Sequence, residues 1–197
     1  MTRSASTPRL RFTALYYAAL VATAALTAPQ RPAGIAVQLA SLLLVAFACL
    51  GRIWCSVFIA GRKDADLVTA GPYSIARHPL YSLSFVGGLG LSMATGSIVL
   101  IVVTALMLGS LLAAAARREE RWLAARHTEA YRRYAASTRR WWPRRSTEPL
   151  PGSMLVYPDV LWKSFVDAGA FFLLYAILLA AIALRTTGAL PTLATLP

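Results

Sequence analysis

The chain has 197 residues, of which 57% are hydrophobic and only 14% charged, and its mean hydropathy is +0.57. Soluble domains carry nearer a quarter charged residues, so this composition excludes an ordinary soluble domain and predicts a single membrane domain over residues 1–197. The net charge of +12 does not indicate a nucleic-acid partner, because most basic residues flank apolar segments. Basic residues in that position set the topology of a membrane protein and contact anionic lipids.

Five apolar segments predict membrane-spanning helices, since a span needs about 20 mostly apolar residues. In chain order they are Phe12–Ala28, Gly34–Ala60, Leu80–Thr95, Ser97–Ala116 and Leu161–Leu184. The fold class predicted is therefore an all-α integral membrane protein with about five transmembrane helices. The arginines before the first segment and the small residues at its end also fit a secretory signal peptide, which is the alternative interpretation of that segment.

Basic residues cluster before the first predicted span, after the second and after the fourth. Because cytoplasmic flanks carry the excess of Lys and Arg, five crossings with an internal N-terminus place all the basic clusters in the cytoplasm. We therefore predict an integral membrane protein with its N-terminus and its charged candidate site on the cytoplasmic side, and the short loops and compact form favour the bacterial cytoplasmic (inner) membrane. The clusters are Arg3, Arg9 and Arg11; Arg62, Lys63 and Arg77; and Arg117, Arg118, Arg121, Arg126, Arg132, Arg133, Arg139, Arg140, Arg144 and Arg145.

The third and fourth spans are predicted to form a tight hairpin, because only Thr95 and Gly96 separate them. A charged amphipathic helix, Arg117–Tyr134, is predicted to follow at the cytoplasmic surface. Residues 144–160 form a proline-rich connector, and 161–185 an additional C-terminal transmembrane helix.

Two cysteines lie in the second apolar segment, at positions 49 and 55. Six residues apart on a helix, their thiols point in different directions, so we predict no disulfide. No Cys and His spacing of a metal site is present, so we predict no metal.

The stretch GPYSIARHPLY, Gly71–Tyr81, carries unusual chemistry for a loop beside a membrane helix. Pro79 biases His78 away from helical geometry and can begin the third span at its first turn. Arg77 and His78 are thereby held at a helix N-terminus, which attracts anions through its free N–H groups and its dipole. An arginine fork adds a clamp for carboxylate or phosphate. The alternative is a snorkelling arginine with a capping histidine.

Three other features admit both a functional and a structural interpretation. Glu119 and Glu120 follow the fourth span, where neighbouring arginines could simply pair with them. The sequence TRRWWP, Thr138–Pro143, could be an aromatic belt or the wall of an aromatic pocket containing a positive group. Arg52 lies inside the second span, where an arginine is a functional hypothesis by default and a snorkelling anchor otherwise.

Taken in order, these stretches resemble the integral-membrane methyltransferases, a family that includes isoprenylcysteine carboxyl methyltransferases and phospholipid N-methyltransferases. The resemblance covers residues 50–143, which we take as the methyltransferase-like core. Its motifs are Gly71-Pro72-Tyr73, Arg77-His78-Pro79-Leu80-Tyr81, Glu119-Glu120, Tyr131 with Tyr134, and Arg140-Trp141-Trp142-Pro143.

The resemblance implies S-adenosylmethionine as the methyl donor and S-adenosylhomocysteine as the product. Arginine and a helix N-terminus suit the donor's carboxylate, and glutamate suits its ammonium group or ribose hydroxyls. The cofactor-binding residues implied are Tyr73, Arg77, His78, Pro79, Tyr81, Glu119, Glu120, Tyr131 and Tyr134.

The acceptor is expected to be an amphiphile taken from the bilayer, either an isoprenylcysteine-like carboxylate or another lipid-like small molecule. A carboxylate needs only a cation, for which Arg140 is the first candidate and Arg52 the second. An amine must first lose a proton, which Glu120 or His127 could take. The alternatives are a phospholipid amine N-methyltransferase and a non-enzymatic lipid-binding protein. A transporter is disfavoured because the charges gather at one face. The predicted partners are membrane lipids and not nucleic acid, and the oligomeric state is left open.

Overall fold

The computed structural model describes residues 7–30, 32–60, 66–144, 153 and 155–197, and this part of the chain is mostly helical, as predicted. The basic residues Arg3, Arg62 and Lys63 and most of the predicted connector lie outside the described residues. The elements are α1 (Thr7–Leu26), β1 (Thr27–Pro29), α2 (Ile35–Ile59), α3 (Pro72–Ile75), α4 (Pro79–Met93), α5 (Ile98–Ser137), α6 (Pro158–Thr186) and β2 (Ala194–Leu196).

Three of these helices, α2, α5 and α6, are long and apolar enough to cross a membrane by length and composition. The apolar part of α1, Phe12–Leu26, is shorter, and α4 has only 15 residues, against the roughly 20 that a span needs. α4 ends at Met93 because the chain turns there, with Gly96 at a φ of 76°. Helix length and composition alone therefore identify three of the five predicted spans.

Helix α5 runs regularly for the 30 residues before Thr128 and is therefore about 45 Å long there, well beyond the roughly 30 Å of bilayer hydrocarbon. Its apolar first half and its charged second half therefore cannot both lie in hydrocarbon. The predicted amphipathic helix continues directly from the apolar part of α5 as far as Thr128. Thr128 interrupts it with non-helical backbone (φ 14°, ψ −85°), and the helix is kinked there.

One compact unit contains a short strand pair that the all-α prediction missed. β1 and β2 are parallel, with Thr27 opposite Ala194, and three residues on each strand give too little pattern to detect. The buried Arg185 of α6 donates hydrogen bonds to the carbonyls of Ala24 and Thr27, so a charged side chain satisfies the end of α1. This unit consists of Met1–Val45, Gly88–Leu111 and Phe172–Pro197.

The second compact unit consists of Ala46–Gly87 and Leu112–Phe171 and holds all the predicted site residues. Small residues let its helices approach closely. A Cβ on Gly51 would lie 2.6 Å from the Leu83 side chain, and one on Gly87 would lie 3.0 Å from both Ala48 and Phe171. Such contacts drive helix association in lipid. Both cysteines in this unit are buried and free.

Candidate active site

Two motifs 62 residues apart in the sequence are joined through their backbones. The N–H of Arg77 donates to the carbonyl of Arg139 at 2.8 Å, and the N–H of His78 donates to that of Arg140 at 3.2 Å. These bonds satisfy backbone groups just before α4 and bring both motifs to one place. Three more bonds reinforce the junction: Arg144 N–H to Ile75 O, Tyr134 Oη to Tyr73 O and Ser82 Oγ to Trp141 O.

Local backbone geometry sets the start of this segment. Gly71 adopts φ 60°, ψ −127° immediately before α3, and Pro72 is the first residue of that helix. A side chain at Gly71 would meet the ring of Phe58 at 2.3 Å. α4 then begins at Pro79, as the sequence predicted. The short loop thus presents Arg77 and His78 in a defined place.

Glu120 is the centre of the candidate site. Its carboxylate receives a fork from Arg140, with Nε donating to Oε1 at 3.0 Å and Nη2 donating to Oε2. Nε2 of His78 lies 3.1 Å from the same Oε1, and Nη1 of Arg77 lies 3.5 Å from it. Glu120 is only 9% exposed, so three groups stabilise a nearly buried negative charge.

Glu119 is engaged far more weakly than its neighbour. Its Oε2 lies 3.7 Å from Nδ1 of His78, and its side chain is 40% exposed. The imidazole itself is packed between aromatic rings. Tyr81 stacks on it at a centroid distance of 5.4 Å, and the Trp141 ring lies 5.6 Å away. His78 is therefore held rigidly, whereas Glu119 keeps an accessible carboxylate.

Burial lowers the pKa of His78 below its ordinary value, against the opposing pull of Glu119 and Glu120. Desolvation disfavours the imidazolium, and Glu120 is already neutralised by Arg77 and Arg140. His78 is therefore neutral at pH 7, with a proton on Nε2 that it donates to Glu120. Its role is that of a fixed hydrogen-bond donor.

This shift makes stability depend on pH in a defined direction. Below about pH 6.5 the unfolded histidine takes up a proton that the folded one resists, so the unfolded state binds more protons and stability falls. The contribution is complete above that pH and is lost as the pH drops towards the folded pKa. We expect the melting temperature of the purified protein to fall between pH 7.5 and 5.5 by more than that of His78→Gln. Equal falls in both proteins would contradict this account.

A cleft of about 550 Å³ opens beside the charge cluster. The cleft is open to solvent, so a small polar ligand could enter it directly. Four arginines and one glutamate give it a positive lining, and Tyr131 adds an aromatic wall. The lining residues are Arg77, Arg117, Glu120, Arg121, Ala124, Tyr131 and Arg140.

The structure brings together nine of the residues singled out in the sequence and leaves Arg52 apart. Pro79 begins the helix beside them, and Arg52 instead contacts Ser84 and the ring of Phe171. The sequence interpretation missed Arg117 and Arg121 as cleft residues. Arg117 lies three residues before Glu120 and four before Arg121 on α5, and this helical spacing could have identified both arginines. The nine are Tyr73, Arg77, His78, Tyr81, Glu119, Glu120, Tyr131, Tyr134 and Arg140.

The sequence matches known proteins over most of this site. The profile of the phospholipid methyltransferase family matches residues 33–130. Over 157 residues the chain is 37% identical to the nickel-cobalt-cadmium resistance protein NccN of Alcaligenes xylosoxydans xylosoxydans, covering 79% of this chain and 73% of that protein. The chain belongs to the phospholipid methyltransferase family.

A second relative also matches the chain. The cobalt-zinc-cadmium resistance protein CzcN of Cupriavidus metallidurans is 34% identical over 127 residues, which are 64% of this chain and 58% of that protein. No solved structure matches the chain significantly. The matched family region runs from before α2 into the second half of α5 and includes Arg52, Arg77 and Glu120, whereas Arg140 lies beyond it. Membership indicates a membrane methyltransferase.

Proposed function

We propose that the chain transfers a methyl group from S-adenosylmethionine to an amphiphilic acceptor drawn from the bilayer, such as an isoprenylcysteine-like carboxylate or another lipid-like molecule. One observation carries the proposal: Arg77, Glu120 and Arg140 line a cleft of about 550 Å³, and His78 joins Glu120 to the partly exposed Glu119 beside it. Family membership supports methyl transfer, while the donor, the acceptor and the residue roles are our proposal.

The chain's own groups fit such a donor. Nε of Arg77 is buried and has no hydrogen-bond partner among the described residues, so a donor for a carboxylate is available. Glu119 keeps an accessible carboxylate for the ammonium group. Tyr131 lines the cleft, where its ring can pack against adenine. When bound, S-adenosylmethionine supplies an electrophilic methyl group and leaves as S-adenosylhomocysteine.

The pairing around Glu120 refines the roles expected from the sequence. We expected opposite charges aimed at the ligand, but Glu120 and Arg140 are directed at each other in a bidentate fork. Nη1 of Arg77 is as far as 3.5 Å from Glu120, so Arg77 can exchange this weak contact for a ligand carboxylate more readily than Arg140 can. We assign Arg77 and Glu119 to the donor's charged ends, and Glu120 with Arg140 to the frame that positions Arg77.

Methyl transfer between aligned groups depends mainly on orientation and on exclusion of water. The rigid packing of His78 between Tyr81 and Trp141 keeps the frame in place, and its Nε2 proton holds Glu120. A carboxylate acceptor is already ionised and needs no base. An amine acceptor, as in a phospholipid N-methyltransferase, needs one, and the accessible Glu119 is better placed to accept a proton than Glu120.

We also propose the membrane arrangement predicted from the basic clusters, with five crossings and a cytoplasmic site in the bacterial inner membrane. α1 and α4 would then be short spans, which a bilayer accommodates by local thinning and by snorkelling of flanking residues. The names of both relatives refer to metal resistance and specify no methyl acceptor, so they favour neither acceptor class.

The decisive test is calorimetric titration of the purified protein with S-adenosylmethionine. We expect saturable binding that Arg77→Ala weakens at least tenfold, since a hydrogen bond to a charged group contributes about 1.5–3 kcal/mol. Arg132→Ala is the matched control, because Arg132 pairs with Glu129 at the surface of the same protein and is 76% exposed. A cytoplasmic site predicts binding to inside-out and not to right-side-out membrane vesicles.

If titration of the unaltered protein with S-adenosylmethionine releases no heat, the methyltransferase proposal fails and the non-enzymatic lipid-binding alternative is favoured. Equal affinity of Arg77→Ala and Arg132→Ala would remove Arg77 from the site.

A further inference from the structure

Arg52 is a charged residue inside an apolar helix. It lies seven residues before the end of α2 at Ile59, about 10 Å along the helix axis. The helix contains no Asp or Glu, and neither does α4. A charge at such depth is costly for a membrane helix and normally faces a partner, a pathway or a ligand.

Neighbouring helices hold the Arg52 guanidinium. Nη1 donates to Oγ of Ser84 on α4 at 2.5 Å, and Ser84 in turn donates to the carbonyl of Leu80. The guanidinium carbon also lies 5.4 Å from the centroid of the Phe171 ring on α6. These contacts orient the guanidinium without neutralising its charge.

The charge itself lacks a counterpart in the described part of the chain. None of the ion pairs formed there includes Arg52. Its Nε is buried and has no hydrogen-bond partner among the described residues. Arg140, the other candidate cation, is instead committed to Glu120. Of the two, Arg52 is therefore the guanidinium whose charge has no acidic partner among the described residues.

We infer that Arg52, oriented by Ser84, forms a binding site for the oxyanion head of an amphiphile, a carboxylate or phosphate carried on an apolar tail. The apolar surroundings suit the tail, and the fixed fork suits two oxygens of the head. Identifying this amphiphile as the methyl acceptor rests on the proposed function, whereas anion binding at Arg52 does not.

The test compares three probes on the purified protein in a neutral maltoside detergent: dodecanoate, dodecyl phosphate and uncharged dodecanamide. Affinities come from calorimetry, and the ratio to the amide cancels the shared contribution of the tail. We expect at least one anionic probe to bind about tenfold or more tightly than the amide. The better anionic probe distinguishes a carboxylate from a phosphate.

Arg52→Gln should bring that ratio to about one. Arg126→Gln is the matched control, because Arg126 also stacks on an aromatic ring, that of Trp122, but does so on the exposed part of α5. It should keep the full preference. Arg52→Lys, which keeps the charge and loses the fork, should keep a reduced preference and serves where Arg52→Gln does not fold.

An anion preference that survives in Arg52→Gln would overturn the inference, and so would equal binding of all three probes to the unaltered protein. Titration of the same samples with S-adenosylmethionine separates this result from the proposed function. Arg52→Gln should bind the methyl donor as the unaltered protein does. If the unaltered protein binds an anionic probe through Arg52 but no S-adenosylmethionine, the methyltransferase proposal fails while the anion site remains.

Discussion

Glu120→Gln is expected to abolish measurable binding of S-adenosylmethionine and to lower the melting temperature by about 5 °C. Gln keeps the shape of Glu but removes the negative charge that Arg77, His78 and Arg140 surround. Two arginines then face each other without compensation. Breaking a fully buried pair costs about 3–5 kcal/mol, and because the Arg140 side chain is 40% exposed we expect nearer 2 kcal/mol.

The control for this substitution lies on the same helix. Glu129 pairs with Arg132 at 3.2 Å, but both side chains are more than half exposed. Glu129→Gln should therefore change the free energy of unfolding by no more than about 0.5 kcal/mol and leave donor binding unchanged. Thermal melting and calorimetry of the three proteins decide the matter. Similar behaviour of Glu120→Gln and Glu129→Gln would show that the cluster neither stabilises the fold nor binds the donor.

The meeting of the two charged corners could be predicted from the sequence because it depends on helix order and a short turn. His78 precedes α4 and Glu120 follows the apolar part of α5, with only Ala94–Ser97 joining these helices. The observed 3.1 Å between His78 and Glu120 agrees with that expectation. Apolar length and charge placement contain this information without any knowledge of side-chain packing.

The partner of each charge could not be predicted in the same way. Either Arg77 or Arg140 could have formed the bidentate pair with Glu120. Which of them does so depends on the backbone bonds between residues 77–78 and 139–140. Backbone bonds can join residues of almost any type, so the amino-acid sequence does not indicate where they form. Helix length alone identifies three of the five predicted spans, since helix ends depend on turns such as the one at Gly96. Arg52 was singled out from the sequence, but that it has no acidic partner among the described residues required the structure.

Gly71→Ala should be among the most damaging single-methyl changes in the chain. The backbone at Gly71, with φ 60° and ψ −127°, is a conformation that strains an L-residue by about 1–3 kcal/mol. The added Cβ would also lie 2.3 Å from the ring of Phe58, a buried neighbour of Cys55 and Tyr73 that has little room to move. Overpacking of this kind costs about 1–3 kcal/mol more. We expect a loss of about 2–6 kcal/mol in unfolding free energy, together with loss of donor binding, because the Arg77 segment follows directly.

Two other glycines separate these causes. Gly188 has a φ of 79° but nothing within 4 Å of its Cβ position, so Gly188→Ala measures backbone strain alone. Gly169 lies in α6 with open space around it, so Gly169→Ala should not destabilise the protein. Thermal melting should therefore order the variants with Gly169→Ala most stable, Gly188→Ala intermediate and Gly71→Ala least stable. If Gly71→Ala had the same melting temperature as Gly188→Ala, the contact with Phe58 would contribute nothing to the loss of stability. If it also bound S-adenosylmethionine normally, the turn at Gly71 would not be what positions Arg77 and His78.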